Sequence, residues 1–178
     1  MTNDDLARLV RVIPDYPKTG IVFRDITTLM VDGNAFRHCI DRLADEVSGV
    51  RFDLVAGIEA RGFVIAAALA YSLRLGTVMI RKPGKLPGAC IGLDYDLEYG
   101  SDRLEVHADA CAHGSNVLLV DDLLATGGTA AAASALLRQA GATVTAAAFV
   151  IHLPALGGRR RLQDDGVDVR ALLSFGDA

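Results

Sequence analysis

Apolar residues near the N-terminus recur at the spacing of an amphipathic helix. The apolar positions are Leu6, Leu9, Val10 and Ile13, preceded by the candidate caps Asn3 and Asp4. This spacing predicts a short helix that Pro14 and Pro17 bring to an end. A second amphipathic helix is predicted in "NAFRHCIDRLADEV", where Asn34 is the candidate cap. Between the two helices, "GIVFRDITTLM" predicts an irregular or short extended segment.

Strand-like and helix-like blocks alternate from Asp53 onward. Compact apolar runs predict strands in "DLVAGI", "TVMIRK", "NVLLVDD" and "TVTAAAFVIHL". Longer blocks between them predict helices in "RGFVIAAALAYSL" and "GGTAAAASALLRQA". Apolar strands separated by helices are typical of a parallel sheet covered on both faces. For a chain of 178 residues we therefore expect one α/β domain with a mainly parallel sheet flanked by helices.

Residues 83–101 interrupt this alternation. The segment "PGKLPGACIGLDYDLEYGS" is rich in glycine and polar residues, and the following "RLEVH" alternates like an exposed strand. Long polar insertions of this kind often carry function. We therefore expect a mobile loop or hairpin that lies over a site.

Composition and charge exclude several classes of protein. The formal net charge of −4 argues against a dedicated nucleic-acid binder, which usually presents a basic face. The three cysteines, Cys39, Cys90 and Cys111, lie far apart and indicate neither a disulfide framework nor a C-x-x-C site. The first residues are acidic, and charge or glycine interrupts every long apolar run. We therefore expect a cytoplasmic protein with no membrane partner.

The stretch "VLLVDDLLATGGT" joins a predicted strand to a predicted helix. Successive main-chain N–H groups at a helix start, with the hydroxyls of Thr126 and Thr129, form a concavity suited to a phosphate. A glycine pair alone would also fit an ordinary turn. Asp121 and Asp122 change this interpretation, because carboxylates beside an anion are costly unless something between them favours negative charge. Sugar hydroxyls and a hydrated Mg²⁺ both do so.

Two further turns gather residues suited to a diphosphate. "GIEARGF" delivers Arg61 to a helix start, and "IRKPGKLPG" gathers Arg81, Lys82 and Lys85 in an otherwise acidic chain. A capping segment and a solvated basic loop are the simpler interpretations of these two turns. A P-loop is excluded, since Phe63 and Val64 follow where Lys and Ser/Thr are required. The absence of G-x-G from the sequence excludes a dinucleotide fingerprint.

Together these segments are similar to those of one family. "VLLVDDLLATGGT" resembles the 5-phosphoribosyl-1-diphosphate (PRPP) signature of the type I phosphoribosyltransferases. "YPKTGIVFRDIT", "GIEARGF", "RKPGKLPG" and "DYDLEYGSDRLEVH" occur in the order seen in the adenine-using members. The resemblance covers nearly the whole chain. It implies a type I phosphoribosyltransferase fold as a single domain over residues 1–178, with a flexible lid loop and a small N-terminal hood segment.

The resemblance also implies a role for each segment. The 5-phosphate of PRPP would be bound by Ala125, Thr126, Gly127, Gly128 and Thr129. Asp121 and Asp122 would face the ribose hydroxyls and help to tolerate positive charge on the ring. Diphosphate binding would fall to Glu59, Ala60, Arg61, Arg81, Lys82 and Lys85, and adenine binding to Val22, Phe23 and Arg24. Mg²⁺ is the expected cofactor, held mainly by substrate and water rather than by protein ligands.

The segment "LEYG" carries the remaining catalytic candidate. The resemblance makes Glu98 the residue that handles the proton of the purine imidazole, with Tyr99 beside it on the lid, although a loop Glu is usually only solvated. In the C-terminal segment, His152 stands where the family commonly has an acid, and we expect it to be a packed residue without a catalytic role. Arg159, Arg160 and Arg161 are interpreted as a solvated helix face or a dimer edge.

The function implied is transfer of the 5-phosphoribosyl group from PRPP to adenine, which gives AMP and diphosphate in purine salvage. The resemblance also implies a homodimer, with part of the basic loop reaching the neighbouring subunit, and no nucleic-acid partner. Two alternatives remain open. One is a phosphoribosyltransferase for xanthine, hypoxanthine or orotate. The other is a regulator that senses PRPP without catalysis, although regulators that bind DNA usually carry an added domain or a basic surface.

Overall fold

The computed structural model describes residues 1–97 and 100–176. In chain order the elements are α1 (Asn3–Leu9), β1 (Arg11–Pro14), β2 (Val22–Asp25), α2 (Thr27–Val31), α3 (Gly33–Glu46), β3 (Leu54–Ile58), α4 (Arg61–Leu73), β4 (Gly76–Ile80), β5 (Cys90–Leu97), β6 (Gly100–His107), β7 (Asn116–Leu124), α5 (Gly128–Gln139), β8 (Thr143–His152), a 3-10 helix (Pro154–Leu156), α6 (Gly158–Asp164) and β9 (Asp168–Ser174). None of the helices in these two ranges is both long and apolar enough to span a bilayer.

A five-stranded parallel sheet, in the order β4-β3-β7-β8-β9, forms the centre of the fold. Its central strands carry long apolar runs because helices cover both faces, and residues 117–120 of β7 are completely buried. Alternate residues of β8 divide between the two cores. Ala148 and Val150 pack with α3 and α4, whereas Ala147 and Phe149 pack with α5 and α6. The predicted α/β fold is confirmed.

The N-terminal helix is shorter than predicted. Helix α1 ends at Leu9, and Val10 is already extended, because residues 11–14 pair with β2 as an antiparallel strand. The cap is Thr2 rather than Asn3 or Asp4, since its side chain accepts a hydrogen bond from the Asp5 amide and Asp5 bonds back to the Thr2 amide. Apolar spacing through Ile13 was therefore misleading, because the last part of the pattern belongs to a strand.

Other local predictions also require correction. Asp32, and not Asn34, caps α3 by accepting hydrogen bonds from the amides of residues 34 and 35, both at 3.0 Å. The segment predicted as irregular or extended contains β2 but continues into helix α2, and β9 was not predicted. In "RLEVH", Leu104 and Val106 are completely buried, so β6 has one core-facing side. The β5–β6 pair forms a separate antiparallel sheet.

Candidate active site

The site lies where the central sheet changes winding direction. Strand β3 pairs with β7 as far as Gly57 and Val120. Beyond this point β3 leads into α4 on one face and β7 leads into α5 on the opposite face. Chains that leave to opposite faces open a cleft at the carboxyl ends of the strands, which is the usual ligand position in such folds.

A cavity of about 310 Å³ occupies this cleft. It brings together most of the residues that the sequence indicated. The lining residues are Ile58, Glu59, Ala60, Arg61, Lys82, Asp121, Asp122, Leu123, Leu124, Ala125, Thr126, Gly127, Gly128, Thr129 and Ala130. Arg81, Lys85, Val22, Phe23 and Arg24 are not among them. The acid pair, the glycine turn and two of the expected cations therefore share one space.

The glycine turn forms the start of α5. Gly127 caps the helix with φ of 77°, a left-handed conformation that favours glycine. The first N–H groups of the helix have no acceptor within the helix and point out of its end. With the helix dipole, they create a site for negative charge beside the Thr126 and Thr129 hydroxyls. The arrangement can bind a phosphate through main-chain donors.

Asp121 and Asp122 lie in different environments although they are adjacent. The Asp122 carboxylate is nearly buried and forms an ion pair with Nε of Arg61. Burial, and next the negative charge of Asp122, raise the pKa of the Asp121 carboxyl well above its ordinary value. A Cβ atom on Gly62 would lie 2.6 Å from Oδ1 of Asp121, so this carboxylate packs directly on the start of α4. Positive charge that develops in the cavity would reduce the repulsion between the Asp121 and Asp122 carboxylates.

The turn that carries Arg81, Lys82 and Lys85 is held in place by the Glu59 carboxylate. Oε2 of Glu59 accepts a hydrogen bond from the Lys82 amide at 2.7 Å and from Nε of Arg81 at 3.3 Å. Arg81 also donates to the Lys85 carbonyl at 3.2 Å, which orients it along the turn and away from the cavity lining. The Glu59 side chain therefore positions the turn, and Lys82 is the member that reaches the cavity.

Sequence reasoning missed a connection between the hairpin and the glycine turn. The hydroxyl of Tyr95, on β5, lies 3.4 Å from the Thr129 hydroxyl and donates to Asp102 on β6 at 3.2 Å. Asp102 also pairs with the ammonium group of Lys82. The sequence predicts a lid in this segment, but Tyr95 and Asp102 give no signal in it because the contact depends on how the hairpin packs.

The predicted adenine segment borders the cavity through Phe23. The Arg61 guanidinium carbon lies 5.3 Å from the centroid of the Phe23 ring. Arg24 points elsewhere: it is 6% exposed and stacks on the Phe175 ring at 4.5 Å. Of the three residues in this segment, Phe23 is therefore the one whose side chain lies next to a cation of the site, Arg61.

Two predicted lid residues, Glu98 and Tyr99, lie outside the described residues. His152 is 5% exposed, as expected for a packed residue. Its Nε2, however, has no hydrogen-bond partner in residues 1–97 and 100–176. Burial, and then the charge of Arg159, lower the pKa of His152. The sequence indicated the burial of this ring but not its missing hydrogen bond.

Comparison with known proteins agrees with this geometry. The family model described as phosphoribosyl transferase domain matches residues 31–173, which define the chain as a member of the phosphoribosyltransferase class. Adenine phosphoribosyltransferases of Chelativorans sp. (strain BNC1) and Rhodopseudomonas palustris (strain HaA2) are 55% and 56% identical to it over 172 residues. In both cases the match covers 97% of this chain and 95% of the relative. The chain belongs to the adenine phosphoribosyltransferase family.

Solved structures are similar along nearly the whole chain. The adenine phosphoribosyltransferase of Thermoanaerobacter pseudethanolicus superimposes with a TM-score of 0.94 at 46% identity, covering 98% of this chain and 100% of that one. The enzyme of Saccharomyces cerevisiae, crystallised with adenine and an imino-altritol bisphosphate, gives a TM-score of 0.88 at 38% identity, with coverages of 96% and 98%.

Proposed function

We propose that this protein transfers the 5-phosphoribosyl group from PRPP to adenine, giving AMP and diphosphate. The observation that carries the proposal is the juxtaposition of Asp121 and Asp122 with the glycine turn in one cavity. This pair of features suits a phosphorylated sugar, whose phosphate needs donors and whose hydroxyls need acceptors. The relatives named adenine phosphoribosyltransferase support the choice of base.

The substrates would lie along the cleft. Residues 125–129 bind the 5-phosphate, and the carboxylates of Asp121 and Asp122 accept hydrogen bonds from the ribose hydroxyls. The diphosphate lies near Glu59, Ala60, Arg61 and Lys82, with Arg81 and Lys85 on the adjoining turn. Adenine lies against the Phe23 ring and is bound largely through main-chain hydrogen bonds of Val22, Phe23 and Arg24. This order along the cleft is supported by the contact of Arg61 with both Asp122 and the Phe23 ring.

The chemistry would be displacement at the anomeric carbon with inversion. The bond from this carbon to N9 of adenine forms while its bond to the diphosphate oxygen breaks. Positive charge on the ring in the transition state is stabilised by Asp121 and Asp122, and burial disfavours the charged form of Asp121 until such a positive charge develops. Arg61 and Lys82 stabilise the departing diphosphate. Fixed charge is thus the main source of catalysis.

Mg²⁺ fits this site as a companion of the substrate. Within residues 1–97 and 100–176 no three metal-binding side chains form a cluster, and Asp122 is already paired with Arg61. Mg²⁺ commonly keeps several waters and binds substrate phosphates together with one or two carboxylates. Asp121 and Asp122 would approach it through water, and the ion would offset charge on the diphosphate.

The lid would exclude water, which would otherwise hydrolyse the activated sugar. We place Glu98 and Tyr99 on it, with Glu98 receiving the proton that adenine loses. The proposal for the lid is supported by the hydrogen bonds that Tyr95 makes near the turn end of the same hairpin. Residues 1–178 would act as one domain, since both cores lie against the same sheet.

A cytoplasmic homodimer is the proposed working form. Cys39, Cys90 and Cys111 are all free thiols, as is common in a reducing compartment. Exposed apolar side chains such as Val31 at 85% and Tyr71 at 88% offer surface for a second copy. Sedimentation at micromolar concentration tests the dimer directly.

One assay tests the function. Purified protein with PRPP, adenine and Mg²⁺ should form AMP and release diphosphate in equal amounts. Hypoxanthine, xanthine and orotate in the same assay should give at most traces of nucleotide. Conversion of another base in preference to adenine would indicate the alternative transferase. PRPP binding without turnover of any base would indicate a sensor.

A further inference from the structure

The phosphate turn lacks a cation of its own. Residues 125–129 are uncharged, and a phosphate monoester carries about −1.5 to −2 charges at neutral pH. Of the charged residues that line the cavity, Glu59, Asp121 and Asp122 are acidic, whereas Arg61 and Lys82 are basic. Both cations are paired, with Asp122 and Asp102. A dianion bound at this turn would therefore benefit from a positive charge brought from another element.

Helix α6 is fixed against this turn by a direct main-chain contact. The Gly158 amide donates to the Ala125 carbonyl at 3.1 Å. A Cβ atom on Gly158 would lie 2.2 Å from that same oxygen, and one on Gly127 would lie 3.0 Å from Cα of Gly158. The first distance is closer than real Cβ atoms come, so the contact requires glycine at 158; the second is tight, and the positive φ of Gly127 also favours glycine there. Side chains on α6 are consequently held at a defined distance from the turn.

Arg161 is the α6 side chain that reaches the phosphate turn. A Cβ atom on Gly128 would lie 3.6 Å from Nη1 of Arg161 and 3.9 Å from the Thr126 hydroxyl oxygen. Gly128 is the first residue of α5 and lines the cavity. The guanidinium and a turn hydroxyl therefore converge at the point where the helix N–H groups emerge.

The neighbouring arginines are directed elsewhere. Arg159 donates to the Val169 carbonyl at 3.0 Å, and Arg160 lies 3.9 Å from Asp164 with 89% of its side chain exposed. For Arg161, by contrast, no ion pair is found within the part of the chain that the structure describes. The three arginines do not form a uniform solvated face, and one of them has its charge available beside the turn.

We propose that Arg161 is a phosphate-binding residue, which donates from its guanidinium to the 5-phosphate of PRPP and of AMP. The inference rests on the proposed function, because it assumes that the 5-phosphate lies at residues 125–129. It adds a residue outside the signature, contributed by the C-terminal helix. Guanidinium is well suited to this role, since its donors match phosphate oxygens and its charge is permanent.

Calorimetry with AMP and adenosine tests the proposal, since these ligands differ only in the phosphate. In Arg161→Gln the affinity for AMP should fall about tenfold, the scale of one lost charge-assisted hydrogen bond. The affinity for adenosine should stay within about twofold, a difference small on that scale. Arg161→Lys should recover part of the loss. Arg160→Gln, on the same helix but directed away, is the matched control and should bind AMP like the unchanged protein.

The outcomes separate two failures. If the unchanged protein prefers AMP to adenosine and Arg161→Gln keeps that preference, the role of Arg161 is wrong while the proposed function stands. Equal losses for AMP and adenosine would indicate a structural effect and would also overturn the role. If the unchanged protein shows no preference for AMP, the phosphate site itself is wrong.

Discussion

At the scale of single residues, the folded protein disfavours the negative charge of Asp121, which the proposed reaction would use. The Asp121 carboxyl has a raised pKa, first because its position in the cleft shields it from water and second because Asp122 is next to it. Above both its folded and unfolded pKa, such a group lowers stability, since its charged form is less favourable in the folded protein. In the proposed reaction the unfavourable charge would become useful when the ribose ring turns positive. Stability and catalysis therefore make opposite demands on this position.

Asp121→Asn should separate these demands. The amide keeps an oxygen for the hydrogen bond that Oδ1 accepts from the Asp122 amide at 2.9 Å, but it removes the charge. At pH 8 we expect the midpoint of thermal unfolding to rise by about 2–4 °C, the shift typical of 1 kcal/mol at this size. Turnover should fall by about a hundredfold, as for other lost electrostatic stabilisers. Calorimetric melting and AMP formation measure the two effects.

An exposed carboxylate provides the control for Asp121. Asp41 on α3 is 55% exposed and pairs with Arg37 one turn away, and Asp41→Asn should change neither property appreciably. A lower melting temperature for Asp121→Asn would mean that the carboxylate is well compensated in the folded protein. Unchanged turnover would remove Asp121 from the reaction.

His152 predicts a pH dependence of stability. Its pKa is lowered in the folded protein, mainly by burial, so the unfolded chain binds the proton more readily. The free energy of unfolding is therefore unaffected by His152 above the unfolded-state pKa of this residue, about 6.5. It declines as the pH falls below that value, because protonation of His152 favours the unfolded chain. His152→Gln, which cannot be protonated, should lose less stability between pH 7.5 and 5.5. Urea unfolding across this range measures the slopes, and parallel slopes for both proteins would contradict the prediction.

At the scale of secondary-structure elements, the site depends on a few close contacts between a turn and a helix. The glycine turn lies between α5, which it starts, and α6, against which its main chain packs. The β5–β6 hairpin reaches the same turn through Tyr95 and Thr129. Elements far apart in the sequence therefore determine where a phosphate would bind. Small displacements of α6 should change the affinity for PRPP.

Gly158→Ala tests this coupling. The added methyl group would meet the Ala125 carbonyl oxygen at 2.2 Å, so the turn or the helix must move. We expect the KM for PRPP to rise by at least about tenfold, since displacements near 1 Å can cost a hundredfold. The KM for adenine should change much less. Gly33→Ala on α3, where nothing lies within 4 Å of the new methyl group, is the control. An unchanged KM for PRPP in folded Gly158→Ala would show that the contact is not needed.

The secondary-structure elements also differ in how well the sequence could predict them. The strand β7, the turn after it and helix α5 are evident because a continuous apolar run, two acids, a glycine pair and an alanine-rich block follow directly in the chain. Helix α2 and strand β1 are too short for a periodic signal, and β1 continues the apolar spacing of α1. The proximity of Arg161 to Gly128 depends on packing between distant segments, so local pattern could not reveal it.

At the scale of the whole molecule, the fold creates the site by a change of winding. Helices α4 and α5 leave β3 and β7 on opposite faces, and the cleft between them receives the ends of β4, β3 and β7. The glycine turn and the acid pair line the cleft, and Phe23 lies beside Arg61 at its border, so the proposed substrate would extend from phosphate to base along it. One-step transfer requires all three to be bound together, which such a cleft permits.

A crystal structure with AMP bound is the most direct measurement of this arrangement. We predict that the phosphate oxygens lie within hydrogen-bond distance of the main-chain N–H groups that start α5, that the ribose hydroxyls face Asp121 and Asp122, and that the adenine ring lies beside Phe23. AMP bound elsewhere, with the glycine turn in contact only with water, would contradict the central claim.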